Sequence, residues 1–230
     1  MNNKIRVIIA DDHELFRAGL INLMNSIDDI AIVDYASDGL ELVKKYASHN
    51  PNVVVSDISM PVLSGFESFK EIRKFDDHAK FLFLSMFESS EYVYYTRKIG
   101  GKGLLSKNVR INELCYGIRL INNGLEYFGM EWTREKLDGL NEEYKNLADG
   151  VIGPDIFLTY KEKKILFYIS EGLTSGEIAA EMKVSKRTID AHRYNMMKKI
   201  NASTPSQLIA FAIKFTSSKS PYLSDSNPSK

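Results

Sequence analysis

Five polar residues between positions 11 and 107 could do chemistry together. Asp11 and Asp12 follow the apolar run IRVIIA (5–10). Asp57 ends NVVVSD (52–57), Ser85 ends KFLFLS (80–85), and Lys107 ends GLLSK (103–107). Each run has the length, roughly 4–8 residues, of a strand buried on both faces of a parallel sheet. In a doubly wound sheet, ligands bind outside the carboxyl ends of the strands. The five groups should therefore converge on one crevice. Three carboxylates placed together repel one another and need a cation. Oxygen donors with no histidine or thiolate among them suit Mg²⁺, which keeps several waters and takes one or two carboxylates. Such a site can hold a phosphoryl group on one Asp while Lys and Ser contact its oxygens. Taken singly, Asp12 could merely cap the helical pattern HELFRAGLINLM, and Lys107 could be a solvated loop lysine.

The elements that must position these groups can be read from periodicity. Strand patterns alternate with helical ones at 13–25, 38–48, 64–74, 88–99 and 110–123, and AIVDYAS (31–37) supplies the second strand. That is an α/β chain with a (βα)₅ doubly wound parallel sheet. Residues 126–153 read as an interdomain helix and linker, or equally as an extension of the first domain's last helix over 131–149. Beyond Phe215 the chain is rich in Ser and Pro, and 217–230 is expected to be a disordered tail.

Among the 230 residues, 44% are hydrophobic and 26% charged, ordinary values for a soluble globular protein, with room for two cores. No apolar run approaches the ~18 residues of a membrane helix. The N-terminus turns acidic at once, unlike a signal peptide. The single Cys115 excludes an intrachain disulfide and reads as a buried structural thiol, so a cytoplasmic location is expected. The net charge of zero hides an asymmetry. Residues 1–154 hold 18 basic and 23 acidic side chains, a balance of −5; residues 155–219 hold 11 and 6, a balance of +5. A basic half points to nucleic acid.

That basic half has marked helix starts. Thr159–Glu162 and Thr174–Glu177 are capping boxes, Ser185 can cap a third helix, and Thr204 with Pro205 a fourth. GEIAAEM and VSKRTIDAHRYNMMKKI are joined by a tight turn at Lys183–Ser185, with small Ala179 and Ala180 allowing close approach: a helix-turn-helix outline. On its second helix Ile189, Met196 and Ile200 should face the core. Lys186, Arg187, Asp190, Arg193, Tyr194 and Lys198 are left for the other face. Lys186 and Arg193 are the first candidates for DNA contact. Lys198 and Lys199 suit phosphates, and Thr188 could reach one through its hydroxyl. Asp190 could accept from a cytosine amino group or orient Arg193. His192 has no second ligand in range and reads as structural or phosphate-contacting.

Two resemblances follow from these motifs. Residues 4–123, with Asp11, Asp12, Asp57, Ser85, Lys107 and the loop Met60-Pro61-Val62-Leu63-Ser64-Gly65, resemble the receiver domain of bacterial two-component response regulators. Leu158–Glu162 (LTxxE), Glu171–Ala179 (EGLTSGEIA) and Ser185–His192 (SxRTIxxH) resemble the LuxR-type DNA-binding domain. Together they imply a NarL/FixJ-type regulator. Its flavodoxin/CheY-like receiver would span 1–125, its linker 126–153 and its four-helix all-α domain 154–216. The resemblance implies Asp57 as phosphoacceptor, a sensor histidine kinase as donor, and promoter DNA as partner. Mg²⁺ would lie on Asp57, Asp12, Asp11 through water, and the Ser59 carbonyl. Ser85 and Lys107 would contact the phosphoryl group. Enzymatic activity would be confined to the receiver's own phosphorylation and dephosphorylation. Activation would bring homodimerisation through 205–215, with Leu208, Ala212 and Phe215 as candidate contacts. The chain departs from the family at Leu104, where Tyr or Phe is usual, and at Met86, where a small residue is common. Leu104 keeps open an atypical regulator that binds DNA without depending on phosphorylation.

Overall fold

The computed structural model describes residues 4–86, 90–145 and 158–217. The chain divides into two compact units, Met1–Lys145 and Asn146–Lys230.

The first unit is built on five strands: β1 (Ile5–Ala10), β2 (Ile30–Ala36), β3 (Val53–Asp57), β4 (Phe81–Ser85) and β5 (Gly103–Ser106). They pair in the order β2-β1-β3-β4-β5, all parallel. The order reverses between β1 and β3, which is the switch point where such sheets open a crevice. Helices α1 (Glu14–Met24), α2 (Gly39–His49), α3 (Gly65–Arg73), α4 (Ser90–Lys98) and α5 (Ile111–Asn122) return the chain between strands and after the last. Each expected element is present, with ends moved by a residue or two.

The strand β4, FLFLS, shows how the two faces are filled. Successive side chains point to opposite faces. Leu82 and Leu84 join the aliphatic core with Val7, Val55, Leu114 and Ile118. Phe81 and Phe83 go to the other face, where Phe66 and Phe69 meet them edge to face at 4.7–5.8 Å. Such pairs add about 0.5–1.5 kcal/mol each beyond the area they bury. Helix starts follow local chemistry. The Asp38 side chain caps α2, and Ser64 with Glu67 forms a capping box on α3. The N-cap of α1 is His13, not Asp12, and it makes no side-chain cap bond. This leaves Asp12 outside the helix.

Past α5 the chain turns back along the sheet edge. Tyr127 forms a parallel bridge with Gly103 of β5, and helix α6 (Arg134–Lys145) follows within the first unit. Of the expected linker 126–153, residues 146–153 lie outside the described residues, as does the expected tail from 218 onward.

The second unit holds α7 (Tyr160–Ser170), α8 (Ser175–Met182), α9 (Lys186–Lys199) and α10 (Pro205–Ser217). Both expected capping boxes are formed, and Ser185 accepts from the Thr188 N–H. The turn between α8 and α9 places Lys183 at φ 54°. Ala179 is buried at this junction, whereas Ala180 is exposed. Ile189 and Met196 are fully buried, with Ile200 packed against them.

Leu208, Ala212 and Phe215, expected at a dimer contact, are instead buried to 0–2% exposure in this unit's own core, against Ile165, Leu166 and Ile189. A side chain already out of water has no further surface to offer a partner. The apolar residues that α10 leaves exposed are Ile209 and Ile213. Among the described residues no helix is long and apolar enough to cross a membrane.

Candidate functional site

Asp11 follows β1 and Asp57 ends β3, on either side of the point where the strand order reverses. Both carboxylates are buried. Lys107, just past β5, reaches between them: its Nζ lies 2.7 Å from Asp11 Oδ2 and 2.8 Å from Asp57 Oδ2, with its side chain only 3% exposed. The ammonium also stands 4.9 Å from the Phe16 ring centroid. The backbone holds this lysine in place, because its N–H donates to the Ser85 carbonyl at 2.7 Å. Ser85 itself closes β4 and is buried. Asp57 Oδ1 accepts from the Ser59 N–H at 3.0 Å. Gly65 closes the loop by donating to the Ile58 carbonyl, and any Cβ there would stand 2.3 Å from the Asp57 carbonyl. The phosphoacceptor candidate, Asp57, therefore sits at the base of a loop whose far end cannot carry a side chain.

His13 was missed by sequence reasoning, which looked for oxygen donors only. Its Nδ1 lies 2.9 Å from Asp12 Oδ1 and 3.1 Å from Asp11 Oδ1, and its N–H donates to Asp11 Oδ1. Asp11, Asp12, His13 and Asp57 each present a donor atom within 4.8 Å of the others. The signal was available in the adjacency Asp11-Asp12-His13.

Electrostatics favour an added cation. Burial pushes the Asp57 carboxyl above the usual carboxylate range, with Lys107 opposing and Asp11 reinforcing the shift. Burial alone would lower the Lys107 ammonium, but the Asp57 and Asp11 carboxylates outweigh it and hold the group above its ordinary value. Both shifts have one sense: the buried Asp11 and Asp57 carboxylates share a single lysine, and the site holds on to positive charge. A hard divalent ion fits this donor set, and carboxylates at a strand-end crevice are the ligands Mg²⁺ takes.

On α9, Lys186, Arg187, Asp190, Tyr194 and Lys198 are exposed, while Thr188 and Arg193 are half-buried. Lys198 Nζ lies 4.5 Å over the Tyr194 ring. The Thr188 hydroxyl is 2.8 Å from that of Ser185, so it serves the helix start. His192 is buried, which fits a structural role. Lys199, expected to meet phosphate, is instead turned to a partner on α7. Its Nζ pairs with both carboxylate oxygens of Glu162, at 2.9 and 3.0 Å, and that carboxylate is almost fully buried. Leu104 is buried, Met86 is 57% exposed, and Cys115 is buried with its thiol pushed up by that burial.

Comparison with known proteins gives two family matches. Residues 7–119 match the response regulator receiver domain, and residues 157–212 match the bacterial regulatory proteins of the luxR family. The oxygen regulatory protein NreC of Staphylococcus carnosus is 31% identical over 211 residues, covering 91% of this chain and 97% of its own length. NreC of Staphylococcus aureus is 31% identical over 215 residues, with the same coverage. Among solved structures, a LuxR-family two-component response regulator from Aurantimonas sp. superposes with a TM-score of 0.54 at 26% identity, over 62% of this chain and 99% of that one. RcsB of Salmonella enterica, solved on promoter DNA with a phosphomimetic, shares the fold, with a TM-score of 0.51 at 21% identity over 91% and 98%.

Proposed function

The chain belongs to the response regulators that join a receiver domain to a LuxR-type DNA-binding domain, and from that premise we propose how its own residues divide the work. Asp57 is the phosphoacceptor. Its carboxylate attacks the phosphorus of a phosphohistidine on a sensor kinase. An O–P bond forms, the P–N bond breaks, and the leaving imidazole takes up a proton. Lys107, now bonded to both carboxylates, shifts its bond to a phosphoryl oxygen, and the Ser85 hydroxyl donates to another. Asp57, Asp12, Asp11 and the Ser59 carbonyl would hold Mg²⁺, which when bound supplies charge neutralisation at the phosphoryl oxygens. The same groups give the receiver slow self-phosphorylation from small donors and slow self-dephosphorylation.

The observation that carries this reading is the Lys107 ammonium shared between buried Asp11 and Asp57 at the switch point of the sheet. The phosphoryl group brings about −1.5 to −2 while the Asp57 carboxylate gives up its own −1. This net gain of negative charge, moved onto new oxygens, must rearrange that pair, so phosphorylation cannot be silent. Downstream, the exposed face of α9 meets double-stranded DNA. Lys186, Arg187 and Arg193 contact it first, and Lys198 contacts phosphate. Pairing of two chains, as in the RcsB dimers solved on DNA, would use exposed Ile209 and Ile213 and set half-sites about one helical turn apart. The protein acts where kinase and DNA meet, in the cytoplasm.

The test is intact mass after incubation with Mg²⁺ and a small phosphodonor, with DNA binding measured on the same samples. Wild type should gain one phosphoryl group and bind its DNA more tightly, and Asp57→Asn should do neither. An adduct that survives Asp57→Asn would refute the assignment.

A further inference from the structure

The stretch Leu125–Trp132 forms a strap along the free edge of β5. The Tyr127 N–H donates to the Lys102 carbonyl at 2.9 Å, and the Leu104 N–H donates to the Tyr127 carbonyl at 3.3 Å. The sequence makes room for it at two glycines. A Cβ on Gly103 would stand 2.5 Å from the Tyr127 carbonyl, and one on Gly117 of α5 would stand 2.9 Å from the Tyr127 ring. That ring packs edge to face on Tyr116, and its hydroxyl donates to Glu113 at 3.1 Å. Phe128 is buried.

Beyond the strap, α6 buries Leu137 and Leu140, and Arg97 of α4 acts as a clasp. Its guanidinium donates to the Leu137 carbonyl at 2.6 Å and pairs with Glu126 at 3.3 Å and Asp138 at 3.5 Å. These charges are partly exposed, so each is a weak attachment.

The strap faces the switch hydroxyl. A cleft of 310 Å³ has Ser85 and Leu104 on one wall and Phe128 and Trp132 on the other. Ser85 belongs to the strand registered against β3, where Asp57 pairs with Leu84. Residue 104 carries no ring, and among the described residues the aromatic side chains on this cleft are Phe128 and Trp132 of the strap. The cleft is open to the surface and unfilled between the Ser85 hydroxyl and the two rings, so those rings have somewhere to go. The strap and α6 also begin the stretch of chain that leads on to the DNA-binding unit.

We propose that residues 125–145 are the element that reads Asp57 phosphorylation: Ser85 turns toward the phosphoryl group, Phe128 and Trp132 repack into the cleft behind it, and Arg97 lets α6 go. This rests on the phosphoacceptor reading above. The strap does the work that an aromatic side chain at position 104 would otherwise do.

Trp132 is the only tryptophan of the chain, so its fluorescence reports the strap alone. Full-length protein is treated with Mg²⁺ and phosphoramidate, and each sample is read by intact mass, Trp132 emission and DNA affinity. Wild type should form the adduct with a clear change in emission. Arg97→Ala should show that altered emission, and tighter DNA binding, before any donor is added. Gly117→Ala, which displaces only the Tyr127 ring, should move emission in the same direction and guards against misfolding of the first variant. Phe128→Leu should form the adduct at the wild-type rate with at most half the emission change. An adduct with unchanged wild-type emission overturns the strap while leaving Asp57 intact. Basal emission unchanged in both Arg97→Ala and Gly117→Ala overturns it as well. Absence of any adduct instead overturns the reading beneath it.

Discussion

Lys198 and Lys199 are adjacent on α9 and have opposite tasks. Lys198 is exposed over Tyr194, whereas Lys199 spends its charge on Glu162, a carboxylate that also caps α7. Removing one partner of a buried pair leaves the other charge unpaired at a cost of about 3–5 kcal/mol. Because Lys199 keeps some exposure, Lys199→Ala should destabilise the second unit by about 2–4 kcal/mol in denaturant melts. Lys198→Ala should leave the melt within about 0.5 kcal/mol and lower the salt slope of DNA binding by about one. Equal effects from the two variants would contradict the assignment. Residue type and neighbourhood are the same for both lysines, so only the tertiary partner separates them, and sequence alone had grouped them as phosphate contacts. Val62 carries a different signal. Its φ is 66°, and the Leu63 N–H donates to the Pro61 carbonyl at 2.8 Å, a left-handed γ-turn on a β-branched residue. Such strain costs on the order of 1–3 kcal/mol and persists where the surroundings over-determine it. Glycine enters the positive-φ γ-turn without steric cost, so Val62→Gly, after its own entropic cost, should raise the stability of the first unit by about 1 kcal/mol, read from its unfolding midpoint.

Elements were legible in proportion to how little choice their side chains left. The strands are short apolar runs buried on both faces, and β4 can alternate Phe and Leu without either face becoming polar. Their ends then place Asp11, Asp57, Ser85 and Lys107 together with no further information. Helix α10 was illegible for the opposite reason. LIAFAIKF is apolar nearly all round, and a helix without a polar face does not announce which side is core. Leu208→Ala should therefore cost about 2–5 kcal/mol, while Ile213→Asp should leave the melt unchanged and abolish chain pairing in sedimentation on DNA. The strap was hidden because its attachments are backbone bonds and glycine gaps, which carry no periodicity. It should show in alkali. Burial, with the bond to Glu113, pushes the Tyr127 hydroxyl up to about 12. An unfolded tyrosine titrates near ~10, so this contribution is complete below ~10 and is lost as pH rises toward about 12. The stability difference between wild type and Tyr127→Phe should shrink across that window.

At the scale of the whole chain, the charge is divided rather than absent. The first 154 residues carry −5, of which −1 falls on residues 1–125 and −4 on residues 126–154, and residues 155–219 carry +5. The field of the acidic stretch after the receiver therefore opposes the approach of the second unit to a polyanion. This repulsion needs no particular arrangement of the two units, and it decays over a Debye length of about 10 Å at 0.1 M salt. The second unit has its own closed core, so residues 155–230 can be tested alone. At about 20 mM salt that fragment should bind random-sequence duplex more tightly than the unphosphorylated full chain, by roughly an order of magnitude. Both affinities should fall with salt, as counterion release requires, but the fragment's should fall more steeply. By about 200 mM, where the field is screened, the two should converge. A receiver that instead covered α9 would leave a gap that salt does not close. The ratio of the two affinities as a function of salt thus separates a charge-based restraint from a steric one, and phosphorylation, which adds negative charge, can relieve only the steric one directly. If the restraint is electrostatic, the strap's release cannot act by uncovering α9. It must act by freeing the two second units to pair, and the salt-independent gain on phosphorylation should then vanish in Ile213→Asp.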